Sequence, residues 1–210
     1  MFIGRKNELA TLEQLYDSNQ FQFAVIYGRR RIGKTALINE FLKDKTAIYF
    51  TGLEEKAADS LNRFSAAIYD YIDPNNTAKS SFSTFDEAFK KIAELAKKQR
   101  VILAIDEYPY LAKSYPTISS LIQYYIDHFF AKTNLFLILC GSSMSFMENQ
   151  VLAYKSPLYG RRTAQFKLLP FSLNEAQAML PHASKKDVFI MNSICGGIPQ
   201  YLSYMDDQKN

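Results

Sequence analysis

The sequence predicts an α/β fold built on a largely parallel sheet with helices on both faces. Compact apolar runs of strand length alternate with longer stretches of helical spacing, a rhythm that belongs to parallel sheets covered on both sides. Three of the expected strands end on residues able to do chemistry: Gly28, Asp106 and Gly141. Ligands of such sheets collect beyond the carboxyl ends of the strands, so the three ends point to one shared site. A length of 210 residues, 48% hydrophobic and 22% charged, suits one such domain with a small appendage and a folded core.

The elements follow in chain order. Leu9, Leu12 and Leu15 within Arg5 to Ser18 recur at helical spacing, so this stretch is an amphipathic helix. Phe21–Tyr27 is a short apolar run closed by a glycine, which suits a buried strand. Thr35–Leu42 carries Leu37, Ile38, Phe41 and Leu42 at helical spacing, and Thr46–Thr51 is a second strand. Helices are expected near Ala57–Tyr71 and Phe85–Lys98, parted by the turn residues Asp73-Pro74-Asn75-Asn76. Val101–Ile105 is a third strand, Ile118–Phe130 a helix, Asn134–Cys140 a fourth strand and Thr163–Leu168 a fifth. From Ser172 the spacing is helical: Ser172–Met179, Lys185–Ile194 and a start after Pro199.

Composition sets outer bounds. A net charge of +4 is mild, whereas nucleic-acid-binding domains usually concentrate basic charge more strongly. Cys140 and Cys195 are the only cysteines and lack metal-site spacing, which predicts two small buried residues. No residue at metal or nucleophile spacing accompanies His128 or His182 in the sequence, and both are expected to be structural or solvent-facing. Met1–Arg5 has no apolar stretch long enough for a signal peptide, and no apolar run is long enough to span a bilayer. The expectation is a cytoplasmic protein with no membrane partner. Most of the 14 Tyr and 16 Phe fall at core spacing; Tyr108, Tyr110 and Tyr115 are the candidates for a contact surface.

Gly28-Arg29-Arg30-Arg31-Ile32-Gly33-Lys34-Thr35 fits the phosphate-cradling pattern G-x-x-x-x-G-K-[ST] without deviation. Glycines allow a tight bend and close approach of the backbone to phosphate oxygens. The amides from about Arg31 to Thr35, through Ile32 and Gly33, then turn inward, and the helix carrying Ala36 adds its positive end. Lys34 can reach the β- and γ-phosphates, and the Thr35 hydroxyl can bind Mg²⁺. Arg29, Arg30 and Arg31 either add positive potential near the phosphates or pair with acids elsewhere. Downstream, an apolar strand ends on Asp106-Glu107. Asp106 is expected to hold Mg²⁺ and Glu107 to act as general base on water. No N-K-x-D guanine signature is present, so ATP, with its product ADP, is the expected nucleotide.

With these pieces in place the sequence resembles the archaeal-type ATPases of the STAND branch of P-loop proteins, relatives of the AAA+ and origin-recognition ATPases. The resemblance spans nearly the whole chain. It rests on Phe2-Ile3-Gly4-Arg5 with Glu8-Leu9, Tyr27 to Thr35, Ile105-Asp106-Glu107, Cys140-Gly141-Ser142-Ser143, Leu158 to Thr163, and Gly196-Gly197-Ile198-Pro199. It implies a three-layer P-loop NTPase core over residues 1–169, with a five-stranded parallel sheet of order 5-1-4-3-2. A small helical lid is implied from residue 170 to 210. Phe2, Ile3 and Arg5 would line the adenine and ribose site unless Phe2 and Ile3 are plain core, and Ile198 and Pro199 would close over the base. Ser142 or Ser143 stands where this class senses the γ-phosphate, although serine after glycine also suits a helix N-cap. Arg161 and Arg162 fall where relatives carry an arginine finger, and are otherwise a surface pair. Members usually continue into a winged-helix domain, so the lid, ending at Asn210, is expected to be truncated.

The leading functional expectation is MgATP hydrolysis acting as a conformational switch within a larger STAND-type protein. Alternatives are a nucleotide-holding module with negligible turnover, a small-molecule kinase, and a DNA-associated ATPase gripping DNA through domains outside this chain. Self-association or an unknown protein partner fits the same resemblance.

Overall fold

The computed structural model describes residues 2–75 and 80–205. Helix α1 (Lys6–Asp17) leads into strand β1 (Gln22–Gly28), whose loop opens helix α2 (Lys34–Leu42). Strand β2 (Ile48–Thr51), helices α3 (Ala57–Ile72) and α4 (Phe85–Ala96), and strand β3 (Val101–Asp106) follow. The expected turn at Asp73-Pro74-Asn75-Asn76 is described as far as Asn75; Asn76 lies outside the described residues, as does the stretch 206–210 of the expected lid.

All pairings in the five-stranded sheet are parallel, in the order β2-β3-β4-β1-β5, with β4 at Leu135–Gly141 and β5 at Ala164–Leu168. Read from the other edge this is the expected 5-1-4-3-2. The central strands are buried along their whole length, which explains their unbroken apolar runs. Their side chains divide by the two-residue period of a strand. Phe23, Val25 and Tyr27 of β1 enter one core with Phe64 of α3 and Phe89 of α4. Ala24 and Ile26 enter the other with Leu12 of α1 and Leu37, Ile38 and Phe41 of α2. The register sets Tyr27 beside Gly141 and Thr51 beside Asp106, so the chemically loaded strand ends lie along one edge.

Between β3 and β4 the structure departs from expectation. Helix α5 (Tyr108–Ser114) follows the acidic pair directly, with Pro109 in its first turn, where a missing amide costs nothing. Tyr108, expected on a contact surface, is fully buried with its hydroxyl 2.6 Å from the Ser119 hydroxyl. Tyr115 stacks on Phe85 at 5.0 Å, so of the three tyrosines Tyr110 alone faces a cavity. The helix expected over Ile118–Phe130 ends at His128 as α6 and gives way to a 3₁₀ turn, Phe130–Lys132. After β4 come a single helical turn, α7 (Met144–Phe146), and a π-helical segment, Met147–Leu152.

Helices α8 (Leu173–Met179), α9 (Lys185–Cys195) and α10 (Pro199–Leu202) close the described chain. Ser172 caps α8 through a reciprocal box with Glu175. These helices share a core of their own, including Phe171, Ala176, Leu180, Val188 and Leu202. Among the described residues no helix is long and apolar enough to cross a membrane.

Candidate nucleotide site

The loop from Gly28 to Lys34 is shaped by two left-handed residues, Arg31 (φ 65°) and Gly33 (φ 94°). Gly33 needs glycine for that dihedral, since a side chain there would be strained even with open space around it. Gly28 needs it for proximity: a Cβ would lie 2.7 Å from the Leu168 carbonyl oxygen of β5. Alternation of this kind makes a concave run of amides, and the N-terminus of α2 adds its unpaired N–H groups. Lys34 is 5% exposed and donates to the carbonyls of Gly28 at 3.1 Å and Arg29 at 2.9 Å. Its ammonium is therefore buried at the base of the cradle.

Asp106, 2% exposed at the end of β3, gathers three donors. The Thr35 hydroxyl donates to Oδ2 at 2.7 Å, the Tyr49 hydroxyl to the same oxygen at 3.0 Å, and the Glu107 amide to Oδ1 at 2.8 Å. Burial, then the Asp106 carboxylate, push the Tyr49 phenol up, so it stays a donor at neutral pH. The same two causes push up the thiol of the fully buried Cys140. Tyr49 was not legible as a site residue; its only signal is a polar-tipped aromatic on the strand paired with β3.

Glu107 follows with a left-handed backbone, φ 48° and ψ 44°. This conformation is uncommon for a residue with a side chain. It places the carboxylate against the end of β4, where Oε2 accepts from the Ser142 hydroxyl at 2.9 Å and amide at 3.2 Å. The Ser142 hydroxyl thus serves Glu107. Ser143, at the N-cap of α7, makes no side-chain capping bond.

These groups border a cleft of about 700 Å³ lined by Arg30, Arg31, Gly33, Lys34, Thr35, Ala36 and Glu107. Its far wall comes from Met179 of α8 and from Pro199, Gln200 and Ser203 in and just after α10. Arg31 spans the gap, donating to the Tyr201 hydroxyl at 2.9 Å with its guanidinium over the ring. A second cavity of about 150 Å³ adjoins, walled by Phe2, Ile3, Arg5, Ile32, Gly33, Ala36, Phe171, Met179 and Pro199. Ile198 is not among its walls and packs on the α1–α2 core. Arg5 is 7% exposed and donates to the carbonyls of Ile32 and Leu169, tying the first residues to the cradle and to the end of β5.

The structure does not bring Arg161 or Arg162 to this cleft. Arg161 makes a bidentate pair with Asp127 of α6, both contacts at 2.7 Å, and donates Nη1 to the carbonyls of Pro157 and Tyr159. Arg162 lies 6.0 Å from the centroid of the Tyr159 ring.

Comparison with known proteins agrees with this geometry. An uncharacterized protein of Methanocaldococcus jannaschii is 35% identical over 202 residues, covering 96% of this chain and 43% of the relative. The chain thus spans less than half the length of that relative. The solved Walker-type ATPase PABY2304 of Pyrococcus abyssi superposes with a TM-score of 0.70 at 19% identity, over 96% of this chain and 66% of that one. A STAND protein with a tetratricopeptide repeat sensor, PH0952 from Pyrococcus horikoshii, gives 0.60 at 21% identity, over 96% and 29%. At such identities the likeness to solved structures is one of fold. A family model described as an ATPase domain predominantly from Archaea matches residues 2–205, nearly the full described span, and by that match the chain belongs to this ATPase family.

Proposed function

We propose that the chain hydrolyses ATP to ADP and phosphate and that the bound nucleotide sets the position of its C-terminal helices, as the switch of a larger STAND-type protein. The observation that carries this reading is the convergence of Thr35 and Asp106, 2.7 Å apart, where Thr35, a buried Lys34 and Glu107 line one cleft. Divisions at about residue 170, with a core before it and a helical lid after it, are part of the proposal. So are the roles of the individual residues.

Mg²⁺ prefers hard oxygen donors and commonly takes only one or two protein groups, completing its shell with water and substrate phosphates. The Thr35 hydroxyl and Asp106 carboxylate are such a pair, and among the described residues no cluster of three or more His, Cys, Asp or Glu forms a protein cage. The residues fit the ion, and Thr35 and Asp106 would hold it. Bound there, Mg²⁺ supplies charge neutralisation at the phosphate oxygens. The chain's own groups do the rest. Amides of the cradle and Lys34 bind the β- and γ-phosphates, and Thr35 orients toward them from the first turn of α2. Glu107 accepts a proton from water as its oxygen bonds to the γ-phosphorus and the bond to the β–γ bridging oxygen breaks. The apolar walls of the 150 Å³ cavity, Phe2, Ile3, Ile32 and Pro199 among them, suit the base.

Steady-state phosphate release with parallel nucleotide titration tests the proposal. Lys34→Ala is expected to abolish binding and turnover together. Glu107→Gln is expected to keep affinity and lose about a hundredfold or more in turnover. Turnover surviving Glu107→Gln would remove the assigned base, and equal nucleotide uptake after Lys34→Ala would remove the site. Tight binding with no measurable turnover in the parent chain would instead identify a nucleotide-holding module.

A further inference from the structure

We propose that Arg30 is the arginine that engages the terminal phosphate from within this chain, exchanging its bond to Tyr110 for one to a phosphate oxygen. The inference rests on the nucleotide reading above. Phosphoryl transfer gathers negative charge on the transferred group and the leaving oxygen, and a guanidinium aimed there stabilises it strongly. Arg161, expected from the resemblance to supply that charge, has Nε and Nη2 committed to Asp127 and Nη1 to two carbonyls. The three arginines of the cradle are a different matter, and the structure separates them.

Arg29 borders neither cavity beside Glu107. Arg31 is turned toward the C-terminal helices and bonded to Tyr201. Arg30 lines the 700 Å³ cleft with Lys34 and Thr35, and it also lines a neighbouring cavity of about 510 Å³ with Glu107 and Ser142. Glu107, from the acidic strand end, and Tyr110 of α5 also line both. The boundary between the two spaces is where a terminal phosphate, held by the cradle, would meet water held by Glu107. Arg30 stands at that boundary. Its Nη2 donates to the Tyr110 hydroxyl at 3.1 Å, a neutral acceptor on α5, and the side chain is exposed. A guanidinium–phosphate bond is charge-assisted and stronger than a bond to a phenol, so nucleotide would draw Arg30 away from Tyr110. Little desolvation opposes the exchange, because the group is already wet.

The test compares Arg30→Ala, Arg30→Lys, Lys34→Ala and the remote charge control Lys132→Ala. Phosphate release is measured for each, with affinities for ADP and for a non-hydrolysable ATP analogue. For Arg30→Ala the expected result is turnover about a hundredfold lower or more, a weaker ATP analogue and an ADP affinity within about threefold of the parent. Arg30→Lys is expected to fall between, since an ammonium lacks the planar fork. Lys132→Ala should match the parent. Arg30→Ala turnover within about threefold of the parent, while Lys34→Ala abolishes it, overturns this inference alone. Equal weakening of ADP and the analogue also overturns it, reducing Arg30 to bulk charge. If Lys34→Ala binds and turns over like the parent, the nucleotide reading itself falls.

Discussion

Glu107 carries the reaction in the proposed scheme, and a single neighbour fixes its orientation. Oε2 accepts both the hydroxyl and the amide of Ser142, whereas its own backbone is held in a left-handed conformation by the start of α5. A hydrogen bond to a charged group is worth about 1.5–3 kcal/mol. Felt in the transition state, the loss of the hydroxyl bond corresponds to about ten- to a hundredfold in rate. Ser142→Ala is therefore expected to lower kcat by that factor with KM nearly unchanged, and Ser142→Thr to recover most of it. A rise in KM at constant kcat would show that Ser142 contacts nucleotide rather than positioning the base. Lys34, Thr35, Asp106 and Glu107 were legible in the sequence because their chemistry is written in contiguous motifs. Tyr49 and Tyr201 were not, since they reach Asp106 and Arg31 across 57 and 170 residues of chain. Only tertiary pairing creates such contacts.

At the scale of elements, the long alternating segments were legible and the short ones were not. Helix α5 has seven residues, two turns, and its run Tyr108-Pro109-Tyr110 gives no helical periodicity to read. The strand order came from the family resemblance, because periodicity says which face a strand buries but not which strand lies beside it. The segment after β4 places Arg161 away from the cleft. Arg161 packs against α6 through Asp127, whose carboxyl the Arg161 hydrogen bond holds below the usual range. A depressed folded value means stability that is present above the unfolded value of about 4 and lost as pH falls through the folded one. The pair is partly exposed, so its worth is about 1 kcal/mol or less. Arg161→Ala and Asp127→Asn are each expected to lower Tm at neutral pH by about 1–4 °C. Acidification below about pH 4 should then cost the Asp127→Asn protein less than the parent. Turnover should be alike in the two variants. A collapse of turnover in Arg161→Ala with none in Asp127→Asn would restore the arginine-finger role to Arg161.

For the whole molecule the question is what joins the sheet to the C-terminal helices. Those helices bury a separate small core, and they meet the rest of the chain at a few defined points. Ile198 packs on the α1–α2 core, Arg5 lies 5.2 Å from the Phe171 ring centroid, and Arg31 reaches Tyr201. The Arg5 contact lies just after β5. The third crosses the cleft itself, from the loop that would wrap phosphate to the helix that would cover it. Nucleotide filling this space would touch both walls, and its binding energy would add to the stability of both. At a hundredfold excess over Kd, binding adds about 2.7 kcal/mol. For a chain of this size that is about 5–11 °C in Tm. Hydrogen exchange on the Glu107→Gln protein, which is expected to retain bound ATP, should show α8 to α10 protected along with the cradle, and more by ATP than by ADP. Tyr201→Phe should keep the thermal shift but narrow that difference, since it removes the hydrogen bond from Arg31 of the cradle to α10 that phosphate can displace. Protection confined to the cradle, with α8 to α10 exchanging equally in the ATP, ADP and ligand-free states, would leave nucleotide binding intact and eliminate the switch.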